Sequence, residues 1–158
     1  MISKLDRERM FRLMPEAQEY EWISDLDALG WLYHVGSLGH AIAYADLFWP
    51  SFLAHDGCIF LSHRFEKANY DSWLATTKGN RRAVETVINH VHILDLFMQR
   101  DPEPVREQVV YLGRLLREMW HAKLARDFPG QSIVVSFPEE AGDDLLGYEI
   151  TCFHENTR

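Results

Sequence analysis

The sequence predicts an α-rich α+β fold in one domain, spanning residues 1–158, with a helical body over 3–127 and a C-terminal antiparallel β-hairpin over 131–154. Three observations carry this expectation. Apolar residues recur at helical spacing through most of the first 127 positions. After Gly130 two short runs are instead rich in β-branched and aromatic residues. A chain of 158 residues that is 47% apolar, with 5 Trp, 6 Tyr and 9 Phe, is also long enough to bury a core without disulfide staples.

Ser3 to Leu13 places Leu5, Met10, Leu13 and Met14 among charges as a short amphipathic helix does, and Pro15 limits it. Glu16 to Asp27 holds five acids and no Lys or Arg, with Tyr20, Trp22 and Ile23 among them; Ser24 is the expected N-cap of the next helix. Ala28 to His55 then carries one full charge, Asp46, and reads as the buried central helical layer. Its Leu38, Ile42, Ala45 and Trp49 form one stripe beside the small residues Gly36, Gly39 and Ala43. Pro50 opens a final turn and Gly57 ends it, unless Asp56-Gly57 is a hairpin turn into a strand at Cys58 to Leu61.

Arg64 to Thr77 fits an amphipathic helix ending at Lys78-Gly79, and Asn80 caps a longer one from Arg81 to Gln99. In that helix Val84, Val87, Ile88, Val91, Leu94 and Met98 face the core, with Glu85, Asn89 and His92 on the opposite edge. Ile93, Leu96 and Phe97 fall outside the arc and suggest a second packing surface, such as a homodimer contact. Asp101, Pro102 and Pro104 open a last helix from about Glu103 to Arg126, striped by Val105, Val109, Leu112, Leu116 and Met119. Ser132 to Phe137 and Tyr148 to Phe153 are the two strands, joined by an acidic connector.

A formal charge of −8 disfavours nucleic acid and favours a basic protein partner. The initial MISKLDRERMFRLM has no uninterrupted apolar core, the two cysteines suit reduced thiols, and Asp46, three glycines and Pro50 argue against a membrane span, so a cytoplasmic protein is expected.

Eight histidines raise the question of a metal, but His90 and His92, on one helix, point about 200° apart, so neither a metal site nor a cofactor is expected. A Cys58 nucleophile flanked by His55 and His63 is weaker than a buried structural cysteine. An enzymatic alternative places Asp46, His40 and His92 around a pocket between the central layer and the Arg81 to Gln99 helix. The preferred contact residues lie in two acidic segments with apolar anchors: Glu16, Glu19, Tyr20, Glu21, Trp22 and Asp25 in one, Glu139, Glu140, Asp143 and Asp144 in the other.

The runs LGHAIAYADLFWPSFLAHDGCIFL and VINHVHILDLF resemble those of small bacterial α+β proteins. In size, acidity and lack of a catalytic signature the chain resembles immunity proteins of bacterial toxin–immunity pairs. That resemblance implies a protein that binds a cognate toxin and masks its active site.

Overall fold

The computed structural model describes residues 4–97, 103–142 and 144–155. The chain is α+β, and its strands lie in antiparallel sheets. Helix α1 spans Lys4–Leu13 and is followed by a 3-10 turn at Pro15–Tyr20. Helices α2 (Ala28–Val35) and α3 (Leu38–Phe48) come next, then strands β1 (Phe52–His55) and β2 (Cys58–Leu61). Helices α4 (Lys67–Thr76) and α5 (Arg81–Ile88) precede the short strand β3 (Val91–His92) and a 3-10 turn at Ile93–Leu96. The long helix α6 (Arg106–Asp127) leads to β4 (Ile133–Ser136), a 3-10 turn at Leu145–Gly147 and β5 (Glu149–His154). Among the described residues no helix is long and apolar enough to cross a membrane.

Three local expectations change. Asp27, not Ser24, caps α2, its carboxylate accepting from the Gly30 N–H at 2.7 Å. Asp56 and Gly57 take positive φ of 51° and 75°, the backbone of a two-residue hairpin turn, so β1 and β2 pair as the hairpin alternative predicts, in place of a final helical turn. Asp56 accepts from the Tyr70 hydroxyl at 2.8 Å and from Arg81 at 2.9 Å, which lowers its carboxyl below the ordinary range and ties the turn to α4 and α5. The predicted helix from Arg81 to Gln99 stops at Ile88, with Asn80 capping its start as expected; Met98 and Gln99 lie outside the described residues. Chain beyond it becomes β3, which adds a third strand to the C-terminal pair in the order β3-β5-β4.

The core follows from the alternation of side chains along β2, whose four residues are all buried. Ile59 and Leu61 join the main cluster around Leu116, Trp120 and Leu124 of α6 and Tyr148 and Ile150 beside or within β5. Cys58 and Phe60 point the other way, to Tyr70 of α4 and Val84 and Ile88 of α5. A smaller cluster holds Met10, Ala17 and Leu26. Of the residues outside the predicted arc, Ile93 is buried in the core and Leu96 packs against it, while Phe97 is half-buried and lines an open cleft with Met10, Leu13 and Phe48.

Buried polar groups hold the two sheets together. Glu85 and Asn89 of α5, expected on its exposed edge, are fully buried between β2 and β5. Glu85 accepts from the Ile59 N–H at 2.8 Å and the His154 N–H at 2.9 Å, and its other contact is His154 Nδ1 at 2.7 Å. Asn89 accepts from the Leu61 N–H at 2.9 Å and donates to the carbonyls of Ile59 at 2.8 Å and Cys152 at 2.9 Å. They meet the edge of β2 away from β1 and the part of β5 that extends past its two-residue pairing with β3, so two side chains take the place of a ladder there.

Candidate functional site

The stretch from Ala28 to Phe48 is where the structure departs furthest from expectation. Neither α2 nor α3 has a buried residue, although the sequence predicts a central buried layer here. Leu29 is 76% exposed, Tyr33 86%, Leu38 81% and Ile42 64%. Among the described residues, no atom outside the local helix lies within 4 Å of where a Cβ on Gly39 would stand, so no described partner helix packs against the small-residue stripe at that position. The pair is anchored mainly at its ends: Trp31 packs with the Met10 cluster, and Leu47 and Phe48 pack against the main core. Trp120 Nε1 also donates to the Leu47 carbonyl at 3.0 Å.

The first acidic segment borders this arm. The Tyr20 ring is half-buried and stacks on His34 of α2 at 5.6 Å, while Trp22 is 75% exposed. Arg7 shapes the segment by donating to the carbonyls of Glu21, Ile23 and Ser24. That leaves the carboxylates of Glu16, Glu19, Glu21 and Asp25 on an exposed rim.

The second acidic segment is organised differently. Glu139 accepts from Arg114 at 2.6 Å and pairs with Arg117 at 3.1 Å, which lowers its carboxyl below the ordinary range. Asp144 accepts from the Leu146 N–H at 2.9 Å. Glu140 is exposed, and Asp143 lies outside the described residues. Two of the four acids expected to meet a partner thus already have intramolecular partners.

The proposed trio of Asp46, His40 and His92 is not assembled. Asp46 is exposed and borders a cleft of about 380 Å³ with His63, Arg64 and Trp120. Desolvation there and Arg64 lower the His63 imidazole, with Asp46 opposing them. His40 lies on α3 with its ring 6.4 Å from Tyr44, and His92 lies on β3 against His90. The cysteine arrangement fails as well: His55 rests its ring on Phe65 and Tyr70, and burial pushes the Cys58 thiol up to about 11. Burial also raises Cys152. Both thiols are free and buried, so at neutral pH neither is expected to react with iodoacetamide in the folded protein, and both to react once urea unfolds it, which mass spectrometry after a short pulse reads directly.

His90 and His92 require the clearest correction. Because α5 ends at Ile88, a helical period no longer separates the two residues: His92 lies in β3, with His90 two positions before it, and side chains two apart in a strand share a face. Their Nε2 atoms are 3.0 Å apart, and Glu149, paired with His92 across β3 and β5, brings a carboxylate oxygen within 3.5 Å of His90 Nε2. His92 Nδ1 lies 2.7 Å from the Leu146 carbonyl. The three donor atoms all fall within 4.8 Å of one another, a grouping suited to a metal ion. The His-x-His spacing was visible in the sequence, but a helical period hid its meaning.

Comparison with known proteins adds no assignment: no family model, curated protein or solved structure matches this chain.

Proposed function

We propose that the protein is a protein-binding module whose docking surface is the α2–α3 arm, with the carboxylates of Glu16 to Asp27 as its charged rim. One observation carries this reading: the most apolar stretch of the chain is folded into two helices that bury none of their residues. Contiguous exposed apolar surface is unfavourable in water, and larger patches of it mark sites of association. The acidic border at Tyr20 and Trp22 favours a basic partner, because complementary charge speeds encounter and disfavours wrong partners. In its specific form the reading is an immunity-type inhibitor that covers a basic bacterial toxin domain in the cytoplasm, where Cys58 and Cys152 stay reduced.

A photo-crosslinking phenylalanine analogue at Tyr33, introduced in the native cell, tests this. The expected product is one predominant adduct with a basic protein, lost when Leu38 and Ile42 are both changed to Ser in the same chain. Expressed alone that partner should arrest growth, and the wild-type chain, but not the Leu38→Ser/Ile42→Ser variant, should restore it. An adduct between two copies of this chain, with no other product, would replace the inhibitor reading with a homodimer.

A further inference from the structure

We propose that His90, His92 and Glu149 form a binding site for one divalent transition-metal ion of the zinc type. The site is independent of the docking reading, since no residue of α2 or α3 contributes a donor to it.

Backbone register builds the site. The pairing of β3 with β5 sets His92 directly opposite Glu149, and the 3.0 Å between the two Nε2 atoms places the His90 ring on the same side as that of His92. All three donors therefore converge without support from a mobile side chain elsewhere. Two nitrogen ligands at the usual zinc distance of about 2.0–2.1 Å, set at a tetrahedral angle, stand roughly 3.3 Å apart. The 3.0 Å and 3.5 Å separations from His90 Nε2 to His92 and Glu149 bracket that spacing.

The surrounding contacts favour a ligand state for His92. When its Nδ1–H donates to the Leu146 carbonyl at 2.7 Å, the Nε2 lone pair is left facing His90 and Glu149. A backbone carbonyl behind a ligating histidine is the common means of fixing tautomer and ring orientation in metal sites. Two imidazoles and one carboxylate are a borderline donor set, suited to zinc, nickel or copper and poorly suited to magnesium or calcium, which prefer all-oxygen shells. His90 and Glu149 are partly open to solvent, with side-chain exposures of 35% and 44%. Three protein ligands on an accessible face leave a fourth position for water or for a donor from another molecule.

The competing account is a proton shared between the histidines, with Glu149 as counter-charge and no metal. Calorimetric zinc titration of the untagged, chelator-treated full chain separates the two, with bound metal counted by elemental analysis. The proposal expects one equivalent of zinc per chain and a rise in Tm on zinc addition. His90→Ala, His92→Ala and Glu149→Gln should each weaken binding by more than the roughly 10–100-fold typical of changes behind the ligands. Glu149→Gln preserves shape and the backbone pairing, so the test stands even if a histidine variant folds poorly. Cobalt in place of zinc should give visible absorption of the wild-type protein that the Glu149→Gln protein lacks. Absence of zinc binding, or full affinity in any folded single variant, overturns the site.

Discussion

Replacing Asn89 with leucine should lower the unfolding free energy by about 3 kcal/mol or more, measured by urea denaturation of the two proteins side by side. The leucine keeps the volume of the side chain but strands three backbone groups: the Leu61 N–H and the carbonyls of Ile59 and Cys152. Each is buried among core residues, so water cannot replace the lost partner cheaply. A buried, unpaired peptide group costs about 1–3 kcal/mol, and the three losses occur together. Glu85→Gln is the milder companion, because the amide retains one acceptor oxygen while turning its NH2 toward a former donor. If Asn89→Leu costs under about 1 kcal/mol, α5 does not join the sheets as described, since even one unpaired group should exceed that.

The same residue explains part of what the sequence concealed. An apolar pattern of helical period runs through Val84, Ile88, Val91 and Leu94, and all four are buried, so the pattern is real. It does not belong to one helix. Asn89 ends α5 with its side chain committed to β2 and β5, and Val91 then enters a sheet whose other strands, β4 and β5, come only after the whole of α6. Helical and extended chain can bury the same positions, and only the long-range partner decides between them. Glu85 misled for a related reason. A lone glutamate is seldom fully buried, and the groups that stabilise this one are backbone donors of Ile59 and His154 that sequence pattern does not bring together.

Elements whose signals are local were legible. The termination of α4 at Lys78-Gly79, the Asn80 cap, the body of α6 and the pairing of β4 with β5 all follow from caps, breakers and β-branched runs. The reading of α2 and α3 failed at a different step. Their helical character follows from the sequence, but their apolar composition does not imply burial inside this chain. Hydrophobicity specifies that a surface gains by leaving water, without specifying which molecule covers it. The candidate metal donors were hidden by the end of the helix before Asn89, which leaves His90 and His92 with their rings together at the start of β3 and not on opposite sides of a helix.

Gly113→Ala should destabilise the fold by about 1–3 kcal/mol, although alanine is the better helix former by about 1 kcal/mol. Gly113 is buried in the middle of α6, where the Phe137 ring lies directly against the helix backbone. A Cβ added there would stand 2.1 Å from Phe137 Cζ and 2.2 Å from Cε2, far inside van der Waals contact. Phe137 is itself 6% exposed and sits near Tyr148, with 6.1 Å between ring centroids, so the ring cannot swing away without disturbing a second buried aromatic. The strain should therefore pass into the packing between α6 and the C-terminal sheet, and not be absorbed at the surface. Phe137→Leu alone should also destabilise by opening a void, yet combined with Gly113→Ala it should recover part of the loss, because the shorter side chain vacates the space the methyl needs. A thermal or urea double-mutant cycle measures this coupling. Strict additivity would show that the close approach of Phe137 to Gly113 does not limit the packing, whereas a favourable coupling above about 0.5 kcal/mol identifies that contact as the reason position 113 carries no side chain.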